Sequence, residues 1–117
     1  QKINSSIQPI LYDDIIISVS DEGLLIFLNK ATGKLIRITD ALKVFKEKKK
    51  SQIYVVGFAT GTNKIFITTS NGRLLIIDIK TGKNEKIIKI DGNKISKPFI
   101  NNNMLFLIKN KAIIKFD

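Results

Sequence analysis

One 14-residue pattern occurs three times in the chain, and this repeat constrains the fold more than any other feature. The segment 21–34 returns at 70–83, and a shortened copy occupies 109–117. Gly23 and Gly72 are 49 positions apart, and the Thr-Gly-Lys triplets that follow them share this spacing. A repeat of roughly 40 to 50 residues built from short strands is typical of a β-propeller blade. The sequence therefore predicts an all-β propeller fold.

Runs of β-branched and aromatic residues, bounded by turn residues, predict eleven strands. The chain is interpreted as a single propeller segment over 1–117, with about three four-stranded antiparallel blades. Blade 1 covers 3–38, blade 2 covers 52–91, and blade 3 covers 94–117 and lacks one strand. The predicted strands are 7–11, 15–19, 24–28, 34–38, 53–59, 64–69, 74–79, 86–90, 95–100, 104–108 and 112–116.

The turn residues and the aromatic residues allow further predictions. Gly23 and Gly72 are predicted to supply the positive φ that tight hairpins need. Asp78 and Asp117 end equivalent strands and are expected to cap turns through backbone hydrogen bonds. The inter-blade core is expected to include Phe58, Phe66, Phe99 and Phe106, with the alternative that an exposed subset of them forms a partner-binding surface.

A basic insertion over 39–51 separates the first two blades. Asp40 is predicted to cap a short helix within 40–50, with Leu42 and Phe45 on its inner face. Two roles remain open for the segment. It is either a solvated connector or a contact patch for anionic lipid headgroups or an acidic partner. The candidate contact residues are Lys43, Lys46, Lys48, Lys49 and Lys50.

Composition excludes several kinds of chemistry. The chain has no Cys and no His, so thiolate or imidazole metal sites and Ser-His-Asp triads cannot be assembled from it. The sequence thus predicts no catalytic residues, no metal-binding residues, no bound cofactor and no enzymatic activity. No apolar run exceeds five residues, against the roughly 20 that a spanning helix needs, and there is no signal peptide in the given chain.

The formal net charge of +10 raises the question of nucleic-acid binding. Lysine supplies 18 of the 20 basic residues, and Lys, Ile and Asn make up 51 of the 117 residues. These three amino acids have A/T-rich codons, so genome composition explains much of the charge. We expect no nucleic-acid partner, whereas peripheral membrane association stays open.

The second copy of the repeat carries a pattern that allows a family to be named. Gly72, Leu74, Asp78 and the triplet 81–83 resemble the repeat of the quinoprotein-like propellers, also called pyrroloquinoline-quinone-like repeats. The first copy matches it again, with Asn29 in place of the aspartate. The resemblance covers nearly the whole chain outside the insertion.

This resemblance implies one of two functions. Quinone-dependent dehydrogenases of the family need a tryptophan beneath the cofactor, and this chain has none. Lipoproteins of the bacterial outer-membrane β-barrel assembly machinery bind proteins without chemistry, and their Ser-x-Pro strand start is similar to the segment 96–98. The expectation is a non-catalytic scaffold for protein–protein interaction in the periplasm, associated with the outer membrane. The alternatives are a dehydrogenase fragment, and binding of an anionic surface or nucleic acid through lysines.

The sequence differs from complete propellers of this family in two ways, and each difference leads to a prediction. The tryptophan that usually ends the family's repeats is replaced by aliphatic residues of the fourth strands, so blade docking is expected to depend on aliphatic packing. Closed propellers have roughly four to eight blades, more than this chain supplies. We expect a C-terminal part of a longer protein, whose terminal blades are covered by the remaining blades or by a second copy.

Overall fold

Eleven strands and one short helix form the described part of the chain. The structure, a computed structural model, describes residues 8–45, 52–90, 96, 98–101, 104–109 and 112–116. The strands are β1 (Ile10–Tyr12), β2 (Ile15–Val19), β3 (Leu24–Asn29), β4 (Leu35–Asp40), β5 (Val55–Gly61), β6 (Lys64–Thr69), β7 (Arg73–Asp78), β8 (Asn84–Lys89), β9 (Phe99–Asn101), β10 (Met104–Lys109) and β11 (Ala112–Phe116).

These strands form three antiparallel meanders in two compact units. The unit Gln1–Tyr54 contains the first sheet, with strand order β1-β2-β3-β4. The unit Val55–Asp117 contains the second sheet, β5-β6-β7-β8, and the third sheet, β11-β10-β9. The predicted all-β fold of two four-stranded sheets and one three-stranded sheet is confirmed.

Some strand ends differ from those predicted. The first strand begins at Ile10 rather than residue 7, after Pro9, which has no N–H to give to a ladder. β4 continues to Asp40, two residues into the predicted insertion, because Thr39 and Asp40 pair with β3. The chain is therefore still part of the first sheet where the sequence suggested that the sheet had ended.

The predicted short helix is confirmed as a single 3-10 turn over Ala41–Val44. The Asp40 carboxylate accepts a hydrogen bond from the Leu42 amide at 3.1 Å, which satisfies one of the free donors at the helix start. Leu42 is fully buried, and the Ala41 amide donates to the Gly23 carbonyl at 2.8 Å. The helix thus closes over the hairpin between β2 and β3. Among the described residues, no helix is long and apolar enough to cross a membrane.

Equivalent hairpins of the first two sheets use the same hydrogen bonds, at the 49-residue spacing of the repeat. The Leu24 amide donates to the Ser20 hydroxyl at 3.0 Å, and the Arg73 amide donates to the Thr69 hydroxyl at 3.3 Å. Gly23 and Gly72 lie in these turns with φ of 91° and 76°, as predicted for these hairpins. A hydroxyl and a left-handed glycine therefore fix the turn in both copies.

The turns after the third strands are capped in the predicted way. The Asp78 carboxylate accepts from the Lys80 amide at 3.0 Å, and the Asn29 amide oxygen accepts from the Ala31 amide at 2.9 Å. Both acceptors stabilise the turn that leads to the fourth strand. Asn29 replaces the aspartate without loss of the interaction because only an acceptor oxygen is required. Asp117, predicted to do the same, lies outside the described residues.

The two units have separate sets of buried side chains. In the first unit, Ile17, Val19, Leu25 and Phe27 lie on one face of the sheet and are at most 1% exposed. In the second unit, four residues of β6 and β7 that share one face of their sheet are also at most 1% exposed: Ile65, Ile67, Leu75 and Ile77. Because side chains alternate along a strand, the residues named for each sheet lie on one face of that sheet. Burial of these aliphatic side chains contributes most of the stability of each unit.

Candidate interaction surfaces

Strand β4 is an edge strand with unusually apolar exposure. It pairs with β3 on one side and has no strand on its other side among the described residues. Leu35, Ile36 and Ile38 are exposed by 56%, 46% and 47%. Arg37, the single basic residue of the strand, lies over the Phe27 ring, with its guanidinium carbon 5.4 Å from the ring centroid. Exposed backbone groups beside aliphatic side chains are the features that favour pairing with another strand.

The equivalent edge of the second sheet has different chemistry. β8 occupies the same place in its meander as β4, yet it carries Glu85, Lys86 and Lys89. Charged side chains on an edge oppose the approach of another strand. Ile87 is the single large hydrophobic residue of this strand with high exposure, at 44%. The two edges therefore differ most at their first two positions, where β4 has Leu35 and Ile36 and β8 has Asn84 and Glu85.

The first sheet also exposes apolar residues on one face. Leu11, Ile16, Leu28 and Leu35 are aligned across the four strands by the pairing register. The outer two, on β1 and β4, are exposed by 55% and 56%, and the inner two are half-buried. We call these four residues the first-sheet patch.

The third sheet has a larger apolar face. Phe99 of β9 and Phe106 of β10 are paired and stacked, with ring centroids 5.4 Å apart and planes 16° apart. Met104 and Ile108 share this face of β10, and Ile113 of β11 is opposite Ile108. The four residues at its margin are exposed by 40% to 67%. We call these five residues the third-sheet patch.

The predicted phenylalanine core is only partly present. Phe58 is buried, and Phe66 and Phe106 are half-buried. Phe99, expected in the core, is 40% exposed because it lies on the third-sheet patch. Phe99 therefore fits the alternative of an exposed aromatic residue on a candidate partner-binding surface.

Of the predicted lysine patch, only one residue lies in the described part of the chain. Lys43 is exposed in the last turn of the short helix, where a cation interacts favourably with the free carbonyl groups. The others, Lys46, Lys48, Lys49 and Lys50, lie outside the described residues. The contact patch consequently stays a prediction. Within the described ranges there is no cluster of three or more acidic side chains suited to a metal ion.

Three successive antiparallel meanders of this kind are the blades of a β-propeller. No known family model matches the sequence, and no curated protein matches it. Solved structures with a similar fold include the following three. BamB from Moraxella catarrhalis has a TM-score of 0.75 at 16% identity, over 97% of this chain and 32% of that protein.

The other two structures have similar TM-scores and sequence identities. The computationally designed protein Ika8 has a TM-score of 0.69 at 14% identity, over 92% of this chain and 31% of that one. The β-propeller domain of Cps50 (Swd1) from Myceliophteria thermophila has a TM-score of 0.67 at 15% identity, over 82% and 32%. The chain thus spans about a third of each. These likenesses show the fold, a partial β-propeller. The quinoprotein-like family stays a prediction.

Proposed function

We propose that this chain is part of a non-catalytic β-propeller scaffold that binds extended segments of other proteins by strand addition to β4. The observation that carries the proposal is the difference between the two equivalent edges. β4 exposes Leu35, Ile36 and Ile38. β8 has Asn84 and Glu85 at the positions of the first two, and it keeps an exposed isoleucine, Ile87, at the position of the third. In strand addition, backbone hydrogen bonds supply affinity, and alternate side chains supply specificity.

The finer part of the proposal is a role in outer-membrane protein assembly, in the periplasm of a bacterium. It is supported by the fold likeness to BamB and by the Thr-Gly-Lys turns of the repeats. Strands of outer-membrane barrels alternate apolar and polar residues before they are paired. Such a segment offers β4 both a free backbone and aliphatic side chains at every second position.

The test uses two lysine substitutions at repeat-equivalent positions. Ile38 and Ile87 are 49 residues apart, lie on the two edges, and are exposed by 47% and 44%. The purified chain is immobilised, and binding of a urea-unfolded outer-membrane barrel polypeptide is measured after dilution. Ile38→Lys should weaken binding about tenfold, on the order of 1.4 kcal/mol, because a charge on the edge opposes strand pairing. Ile87→Lys should leave the affinity within about twofold.

Two results contradict the proposal. Equal loss of affinity in both variants would place binding elsewhere than on β4. Absence of saturable binding by the wild-type chain would remove strand addition altogether. An unfolded polypeptide from an all-helical protein serves as the specificity control, and it should bind more weakly at the same chain length.

The apolar patches of the first and third sheets support a second element of the proposal. We infer that each is covered by a further sheet of the same kind, from the rest of a longer propeller or from a second copy. The third-sheet patch exposes stacked aromatic rings and aliphatic side chains, as expected of a face that packs against another sheet.

Sedimentation equilibrium of the 117-residue chain tests this inference. Concentration-dependent association is expected, and Ile113→Glu should weaken it because Ile113 is the most exposed residue of the third-sheet patch, at 67%. A monomer mass at the highest concentration reached would contradict coverage by a second copy.

A further inference from the structure

A cavity of about 280 Å³ lies within the second unit, and its lining combines apolar side chains with two lysines. Six apolar side chains line it: Phe66, Leu74, Ile76, Ile88, Ile100 and Leu105. The first four come from the second sheet, and the last two form a cross-strand pair of the third sheet. This volume lies just below the usual range of ligand pockets, roughly 300 to 1,000 Å³, so it suits a small ligand.

The register explains how these residues come to line one space. Phe66 is opposite Ile76 across β6 and β7, and Leu74 is opposite Ile88 across β7 and β8. Gly61 adds room at the edge of the cavity. A Cβ at this position would lie 3.1 Å from the Phe66 ring, so the glycine allows that ring to lie against the backbone. Only a residue without a side chain leaves this space.

The polar groups of the cavity are basic. Lys64, Lys86 and Thr62 are its polar side chains, and no acidic side chain is among its described lining residues. Lys64 forms an ion pair with Glu85, which lies outside the lining. Lys86 is exposed and has no acidic partner among the described residues. Within the described part of the chain, the Lys86 charge therefore lies beside an apolar lining without an acidic partner.

We propose that this cavity binds a small aliphatic monocarboxylate, with its hydrocarbon chain among the six apolar side chains and its carboxylate at Lys86. Of the two lysines among the described lining residues, Lys64 is paired with Glu85, which leaves Lys86 to meet one anionic charge. The strands β6 and β7, which supply much of the lining, are paired on both sides, so their backbone groups have few partners to offer the amide groups of a peptide. A hydrocarbon chain needs no such partners, and its burial is favourable.

Decanoate below its micelle concentration is the probe, and binding to the 117-residue chain is measured by isothermal titration calorimetry. Saturable binding at one site per chain is expected. Lys86→Ala should weaken the affinity about fivefold, the effect of losing a partly exposed ion pair. Lys89→Ala is the matched control because Lys89 is exposed on the same strand and does not line the cavity. It should leave the affinity unchanged, and Lys86→Arg should restore most of it.

Three further measurements on the wild-type chain can refute the proposal even if a variant folds poorly. Methyl NMR spectra of the wild-type chain should show decanoate-dependent shifts at Ile76, Ile88 and Ile100, and none at Ile17 of the first unit. Decyltrimethylammonium, with the same chain length and the opposite charge, should bind at least about tenfold more weakly. Butanoate should bind too weakly to saturate because its chain leaves most of the apolar wall uncovered.

Ile76→Phe fills the cavity from a half-buried position and should abolish binding, with folding checked by circular dichroism. The proposal is overturned if decanoate fails to saturate the wild-type chain. It is also overturned if Lys86→Ala and Lys89→Ala have the same effect, or if the methyl shifts occur outside the cavity.

Discussion

Replacement of Gly23 by alanine is expected to destabilise the first unit strongly. Gly23 has φ of 91°, in the left-handed region that L residues with a Cβ rarely adopt. A Cβ at this position would lie 2.4 Å from Leu42 Cγ and 2.9 Å from its Cδ1. Leu42 is fully buried in the short helix, so it cannot move aside without disturbing its neighbours. Backbone strain and steric overlap therefore act together.

Gly33 provides the matched control and allows the magnitude to be worked out. Its φ is 70°, but a Cβ there would meet no atom within 4 Å. Gly33→Ala should therefore cost only the left-handed strain, about 1 kcal/mol. Gly23→Ala adds overpacking against Leu42, about 1 to 3 kcal/mol, for a total of about 2 to 4 kcal/mol.

Urea unfolding followed by circular dichroism measures both changes by linear extrapolation. The double variant Gly23→Ala/Leu42→Ala then isolates the contact. Leu42→Ala alone should cost about 2 to 5 kcal/mol. The double variant should be less destabilised than the sum of the single variants by about 1 to 3 kcal/mol, because truncation of the Leu42 side chain leaves room for the new methyl group. Equal losses for Gly23→Ala and Gly33→Ala, or strict additivity in the double variant, would refute this reasoning.

Two other predictions concern buried and turn polar groups. Thr68→Val should stabilise the chain by about 1 kcal/mol, because the Thr68 hydroxyl is buried without a hydrogen-bond partner among the residues that the structure describes. Thr69→Val should destabilise the chain by about 1 kcal/mol, since the Thr69 hydroxyl forms hydrogen bonds with the Asn71 side chain and the Arg73 backbone. Urea unfolding of both variants shows whether each substitution raises or lowers the free energy of unfolding. A stabilised Thr69→Val variant would contradict the role given to these hydrogen bonds. Asp78→Ala should cost about 1 kcal/mol in the same assay, whereas Asp78→Asn should be nearly neutral because Asn29 caps the equivalent turn. A cost for Asp78→Asn equal to that of Asp78→Ala would mean that the acceptor oxygen is not what matters.

The features predicted correctly from sequence are those set by local chemistry. The turn conformations of Gly23 and Gly72 and the cap of Asp78 depend on residues within a few positions, so turn preferences alone identify them. The packing of Leu42 against Gly23 is not local, and the sequence did not show it. Strand ends were less accurate, since β4 extends to Asp40 through pairing with β3 rather than through its own composition. The period of alternation shows which side chains share a face, but it does not show which face is covered.

For the same reason, the sequence did not show which of the two fourth strands leaves more aliphatic side chains exposed. Leu35, Ile36 and Ile38 were expected to take part in blade docking, and in this chain they are exposed on an edge. The available signal was at the first two positions of the fourth strands, where β4 has Leu35 and Ile36 and β8 has Asn84 and Glu85. The cavity of the second unit had no such signal. It depends on Ile88 and Leu105, which are distant in sequence and meet only in the folded unit.

The contrast between the two edges separates what the fold requires from what binding requires. β4 and β8 occupy the same place in equivalent meanders, and β8 is compatible with that place while carrying Asn84 and Glu85. The aliphatic residues at the equivalent positions of β4 are therefore not needed for the sheet itself. Transfer of the β8 residues into β4, as Leu35→Asn/Ile36→Glu, should change the free energy of unfolding by less than about 1 kcal/mol.

The same transfer should abolish binding of the unfolded barrel polypeptide if strand addition to β4 is the binding mode. Stability from urea unfolding and affinity for the immobilised chain are measured on one preparation, so the two effects are separated directly. A large loss of stability would show that these side chains belong to the core of the sheet. Retained affinity in a stable variant would exclude β4 as the binding edge, because the edge would then carry the same charge that protects β8.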